Sequence, residues 1–226
     1  TDAALDAALP LLSAGDVVID GGNSNFKDSV RRQARLKDLG IAFLDCGTSG
    51  GPAGARSGAC TMIGGEPAAY ERCRALFDAV SLPGGSLHVG GPGAGHFVKM
   101  VHNGIEYGMM QAIAEGFEVL EKSGYDLDFA KVADLWMHGS VVRSWLVELA
   151  AGAFARDPRL DKLSGRVQGS GEGQWTVETA MDLGVPAPVI ALAVMMRHRS
   201  LQDDSFAGRL LAALRHEFGG HAVEKK

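Results

Sequence analysis

Apolar positions in the first ninety residues follow two alternating rhythms. Ala3 to Leu12 has helical spacing, and Asp16 to Asp20 is a short buried strand that runs into Gly21-Gly22. Ser24 to Leu39 has one polar and one apolar face, with Gly40 as its natural stop, so a second helix is expected there. Ile41 to Asp45, Cys60 to Ile63 and Ser86 to Val89 read as further strands, and Pro67 to Val80 as a helix entered through its proline. Strands alternating with helices of ~10–15 residues predict βαβ units around a mostly parallel sheet.

Beyond Gly95 the rhythm changes. Residues 96–123 predict one long apolar helix, residues 128–155 a second helical region, and residues 186–218 further helix. The Gly/Ser/Asp-rich stretch 156–174 reads as an extended loop, and no strand pattern is visible in this half. The fold class is therefore α/β followed by all-α. Its parts are a partial doubly wound domain over residues 1–92 and a helical domain over residues 93–226. The first part is called partial because no G-x-G-x-x-G follows a strand near its start, where a doubly wound dinucleotide domain carries one.

Composition narrows the function. The chain has 226 residues, 46% hydrophobic and 22% charged, with a net charge of −5. No basic field exists to hold nucleic acid, so no nucleic-acid partner is expected. The longest apolar run, Val185 to Met196, stops short of the ~20 residues of a membrane span, so no membrane partner is expected either. Asp2 and Asp6 stand where a signal peptide would be basic. Three cysteines without a C-x-x-C suggest reduced thiols, hence a cytoplasmic setting, and no metal site is expected. Glycine stands out at 31 residues, in clusters.

The richest cluster is Gly93 to Tyr107. On a helix, Lys99, His102, Asn103, Glu106 and Tyr107 share one face, while Val98, Val101, Ile105 and Met109 lie opposite. A solvated face is the plain explanation of such a stripe. Gly104, Gly108 and the apolar neighbours argue instead for a helix buried on most sides, whose polar stripe walls an active site. A second cluster, Ser49-Gly50-Gly51, follows a strand, where consecutive backbone N–H groups and the Ser49 hydroxyl suit a carboxylate. A simple turn explains it equally well. Asp20 to Ser24 again closes a strand and opens a helix, and capping accounts for one of its polar residues. Arg197, Arg215 and His221, taken alone, read as surface charges.

Together these blocks resemble the 6-phosphogluconate dehydrogenase family, the decarboxylating enzymes of the pentose phosphate pathway. The resemblance rests on Ile19 to Ser24, Gly47 to Gly51 with Gly54-Ala-Arg56, and Gly95 to Gly108. Gly173 to Thr176, Gly184 to Pro186 and Arg215 to His221 complete it, and the compact second half is similar to the family's short form. It implies oxidation and decarboxylation of 6-phosphogluconate to ribulose 5-phosphate with NADP or NAD as cofactor. It further implies Lys99 as general base, Glu106 as general acid, and His102 and Asn103 as substrate-positioning residues. Ser49, Gly50 and Gly51 would hold the sugar acid, and Asn23 would be shared between cofactor and substrate. Tyr107, Arg197 and Arg215 would serve the phosphate, and His221 would contact substrate. The last arginine and histidine come from a neighbouring subunit in the family, implying a homodimer or tetramer with composite sites, and the helical half a dimerisation and substrate domain.

Ser170 and Glu172 depart from the pattern, standing where the long form has a lysine and a threonine near the phosphate. A glutamate there would repel a phosphate. Two other readings stay open: a different β-hydroxyacid dehydrogenase, such as one acting on hydroxyisobutyrate, and a catalytically silent sugar-phosphate-binding or dimerisation module. Without the glycine fingerprint, this chain alone is not expected to transfer hydride efficiently.

Overall fold

The computed structural model describes residues 1–224, so Lys225 and Lys226 of the expected helical domain lie outside the described residues. The chain packs as two compact units. One comprises Thr1–Met110 and Ser170–Ala191, the other Gln111–Gly169 with the chain from Leu192 onward.

The first unit is built on four strands in sequential order, β1 (Val17–Asp20), β2 (Ala42–Ser49), β3 (Ala59–Gly65) and β4 (Ser81–Gly90). Helices α1 (Asp2–Ala8), α2 (Phe26–Lys37), α3 (Gly51–Ser57) and α4 (Pro67–Val80) alternate with them. Side-chain alternation gives the sheet two buried faces. Val17, Ile19, Leu44, Cys46 and Ile63 pack against Tyr70 and Phe77 of α4. Val18, Ile41 and Phe43 pack against Leu5 and Leu36 from α1 and α2.

β1–β2 and β3–β4 are parallel, but β2–β3 is antiparallel. Parallel neighbours need a crossover of a dozen or more residues. Residues 50–58 are too few, so the chain reverses through α3 instead. The expected first helix is also shorter: α1 ends at Ala8 and a 3-10 turn covers Leu9–Leu11, where Pro10 interrupts the helix.

The long helix appears as α5 (Ala94–Lys122). In the second unit its C-terminal part packs with α6 (Phe129–Met137) and α7 (Trp145–Arg156) around Phe117, Phe129, Val147 and Phe154. The expected loop ends early, because α8 (Glu172–Asp182) starts at Glu172 after Gly171 adopts a left-handed conformation. The last helical stretch divides into α9 (Pro188–Ser200) and α10 (Phe206–Gly219).

Candidate active site

The site in the first unit is assembled where α5 begins. Asp45, fully buried on β2, accepts from the backbone N–H of Gly93 (2.7 Å) and of His96 (2.8 Å), tying the N-terminus of α5 to the sheet. Gly47 and Gly95 make the approach possible. A Cβ on Gly47 would overlap Lys99 Cβ, and one on Gly95 would overlap the carbonyl oxygens of Asp45 and Met62. A Cβ on Gly64 would meet Asp45 Oδ1 and the backbone nitrogen of Gly95, each at 2.6 Å. Helix backbone therefore rests directly on strand backbone, and the seat sets where Lys99 emerges. Sequence reasoning placed these glycines in motifs without seeing the seat; a carboxylate and a glycine two apart in an apolar strand were the available signal.

Lys99 is only 5% exposed. Its Nζ donates to Asn103 Oδ1 at 2.7 Å and lies 3.3 Å from His102 Nδ1. His102 Nδ1 also lies 3.0 Å from Asn103 Oδ1, and its Nε2 lies 3.2 Å from the Ser49 hydroxyl. Next to Ser49, the backbone N–H of Thr48 donates to Asn23 Oδ1 at 3.3 Å. A polar chain thus joins Asn23 in the segment after β1, Thr48 and Ser49 on β2, and His102, Lys99 and Asn103 on α5.

Burial holds the Lys99 ammonium below its ordinary pKa, and the charges of Glu106, Glu172 and Cys60 oppose that shift. Glu106 is half-buried one turn beyond, 4.0 Å from His102 Nδ1. Tyr107 is buried, and its hydroxyl oxygen accepts from the backbone N–H of Ser170 at 3.3 Å. Gly50 and Gly51 both have positive φ where β2 turns into α3. A Cβ on Gly51 would meet nothing within 4 Å, so its backbone is open to a close-lying ligand.

One expectation about α5 is corrected. The stripe's Lys99, Asn103 and Tyr107 are buried, whereas Val98, Ile105 and Met109 of the opposite side are exposed. The polar residues find partners within the first unit. Among the described residues, the apolar side is only partly covered in the single chain.

Arg197, Arg215 and His221 belong to the second unit. Arg197 on α9 donates to the carbonyl of Gln168 at 3.1 Å. Arg215 is exposed near the end of α10, and His221 follows the left-handed Gly220 that caps that helix. Among the described residues, no three His, Cys, Asp or Glu side chains are placed to hold a metal ion, and no helix is long and apolar enough to cross a membrane.

The residues present suit the nicotinamide end of a dinucleotide. Gly21 leaves the mouth of β1 open, with nothing within 4 Å of a Cβ, and Asn23 uses only its Oδ1 toward Thr48. An α/β sheet with an open strand end and a desolvated lysine beside it fits a nicotinamide-dependent dehydrogenase, and the family matches give that class. The comparisons specify which. Residues 1–90 match the NAD binding domain of 6-phosphogluconate dehydrogenase, and residues 95–207 match the C-terminal domain of the same enzyme. The chain belongs to the 6-phosphogluconate dehydrogenase family.

The "Putative 6-phosphogluconate dehydrogenase YqeC" of Bacillus subtilis is 57% identical over 225 residues, covering 100% of this chain and 76% of its own. The NAD(+)-dependent, decarboxylating 6-phosphogluconate dehydrogenase of Haloferax volcanii is 48% identical over 100% of this chain and 75% of its own. Among solved structures, Plasmodium falciparum 6-phosphogluconate dehydrogenase superposes with a TM-score of 0.82 at 30% identity, over 100% of this chain and 50% of that one. A Salmonella typhimurium 3-hydroxyisobutyrate dehydrogenase shares the fold alone, at TM-score 0.71 and 23% identity over 87% and 70% of the two chains.

Proposed function

We propose that this protein is a cytoplasmic enzyme that oxidises and decarboxylates 6-phosphogluconate to ribulose 5-phosphate and CO2. The observation that carries the reading is the desolvated Lys99, held by Asn103 Oδ1 at the end of the Ser49–His102 chain. NAD or NADP, when bound, accepts the hydride from C3.

A base for that step has to be an uncharged amine, and burial favours that form of Lys99. Lys99 Nζ takes the C3 hydroxyl proton as the hydride leaves. The C1–C2 bond of the 3-keto acid then breaks, its electrons pass toward C3, and the Lys99 ammonium returns the proton to the C3 oxygen. Glu106 protonates the carbon that lost CO2 while the C3 hydroxyl of the enediol gives its proton back to Lys99 Nζ, leaving the ketone of ribulose 5-phosphate. The half-exposed position of Glu106 suits a group that must regain a proton from water. His102, held between Asn103 and Ser49, and Ser49 itself hold the sugar acid, and Gly50 and Gly51 admit its carboxylate to the backbone. Asn23 stands between cofactor and substrate.

The roles of Tyr107, Arg197, Arg215 and His221 on the phosphate side rest on the likeness of these residues to the family's. So do the homodimer or tetramer with composite sites and the division into a dinucleotide-binding part (1–92) and a helical part (93–226). Exposed Leu210, Leu211 and Leu214 on α10 support an assembled state.

The test is substrate-dependent NAD(P)H formation by the enzyme carrying this sequence. Lys99→Met is expected to lower kcat by at least about 10²–10⁴-fold. Glu106→Gln is expected to slow release of ribulose 5-phosphate relative to NAD(P)H formation. Wild-type turnover by the Lys99 variant would overturn the assignment.

A further inference from the structure

Glu172 has no task in the reaction above, yet its environment is unusual. It opens α8, is only 6% exposed, and its Oε2 is buried without a hydrogen-bond partner among the described residues. A buried polar atom of this kind is costly and calls for an explanation.

Its place is fixed tightly. The Thr176 hydroxyl lies 2.8 Å from both the Glu172 carbonyl and the Met100 carbonyl, so the first turn of α8 is pinned to the residue after Lys99. The next residue, Gly173, lies so close to the Tyr107 ring that a Cβ would sit 2.5 Å from two ring carbons. A Cβ on Gly104 would likewise press on Thr176. Glu172 is thus held against the turns of α5 that carry the stripe.

No ion pair within 4 Å joins Glu172 to Lys99, but a buried carboxylate on the turn of α8 pinned to Met100, the residue after Lys99, favours the charged form of that lysine. The other charged or titratable groups facing Lys99 are His102 and Glu106 on α5 and Cys60 on β3. On β2, Asp45 has both oxygens occupied at the N-terminus of α5, and Ser49 and Gly47 bring no charge. Of the two carboxylates acting on Lys99, Glu106 is half-exposed and screened by water; Glu172 is not.

Resting on the proposed reaction, we infer that Glu172 is a positioning residue whose buried carboxylate steadies the ammonium form of Lys99 between its taking the C3 proton and its returning that proton to the C3 oxygen. A lysine desolvated enough to act as base would otherwise give up the proton too readily to serve as the acid. The departure from the long form's threonine then has a use: it supplies countercharge to the base instead of contacting the phosphate.

The test compares wild type, Glu172→Gln and Glu172→Asp in the intact enzyme. NMR titration of Lys99 with ¹³C-labelled lysine, without substrate, reads its protonation directly. In Glu172→Gln the Lys99 titration and the acidic limb of kcat/KM are expected to move to lower pH by about one unit. Glu172→Asp, which keeps the charge, is expected to restore most of the shift even if helix packing lowers its Tm. An unmoved Lys99 titration in a folded Glu172→Gln protein would overturn the inference. Failure of wild type to turn over 6-phosphogluconate would instead overturn the reaction, because the titration reads Lys99 whatever the substrate.

Discussion

A lysine 5% exposed is a liability to the fold before it is an asset to chemistry. Because burial lowers its pKa, the folded chain binds fewer protons at Lys99 than the unfolded chain between the lowered value and the ordinary one. Stability therefore rises with pH through that window, and below it the Lys99 contribution stays level at its lowest value. Lys99→Met is expected to flatten the slope and to raise stability at neutral pH, checked by denaturant titrations across a pH series. A loss of stability at every pH would contradict the burial argument. Gly47 makes the complementary case. Gly47→Ala is expected to cost roughly 1–3 kcal/mol through overpacking and to lower kcat about 100-fold by displacing Lys99. A melting curve and a single rate measurement would check both.

At the level of elements, β1 depends on α2 for its charge balance. Asp20 at the strand end is buried and accepts from Gly22 N–H, the Ser24 hydroxyl and Arg32 Nη1 (3.3 Å). Arg32 is buried as well, and its Nε donates to Asp2 at 2.7 Å, holding the Asp2 carboxyl far below the usual carboxylate range. Arg32→Ala leaves Asp20 buried without its cation and is expected to cost about 3–5 kcal/mol. Arg32→Lys is expected to recover only part of it, since an ammonium cannot reproduce the fork. Denaturant midpoints of the two variants would decide.

The polar stripe of α5 was legible because its spacing is a property of the helix. The strand end bearing Asp20 was legible because glycines follow it, whereas β2 runs past the expected end at Asp45 to Ser49 because its antiparallel pairing with β3 continues there. α3 was not legible, since Gly51-Pro-Ala-Gly-Ala-Arg-Ser57 has little apolar periodicity and exists because the chain must reverse between β2 and β3. α8 was hidden by its Gly/Ser-rich approach. Glu172 showed up only as a charge unwelcome to a phosphate, because its burial depends on Thr176 and Gly173 meeting a helix some seventy residues earlier. The exposed side of α5 was misjudged because apolar content alone does not say which face a single chain covers.

On the scale of the whole molecule, much apolar surface lies uncovered. On α9 and α10, Leu192, Met195, Phe206, Leu211 and Leu214 are each more than half exposed. Isolated exposed side chains of this kind are common, but their number on two consecutive helices suits the proposed assembly. If the proposed assembly shares Arg215 between subunits, two inactive variants can repair each other. Lys99→Met and Arg215→Ala enzymes are each expected to be nearly inactive alone. After verified subunit exchange, sites pairing an intact Lys99 with a neighbour's intact Arg215 should restore part of the activity, up to about a quarter of the sites under random mixing into dimers. No recovery would place Arg215 in its own chain's pocket.

The joint between α5 and the sheet has a wider consequence. At Gly64 and Gly95 peptide groups of helix and strand meet directly, and at Gly47 the strand backbone meets the stem of Lys99, so the width of the gap is set by van der Waals contact. A joint of that kind has one clearance. Neighbouring positions can drift over evolutionary time, altering the mouth of the pocket or the surfaces that meet other chains, while the reach of Lys99 stays as it was. The same economy makes the joint brittle, since a single methyl group at any of the three positions spends the whole tolerance at once.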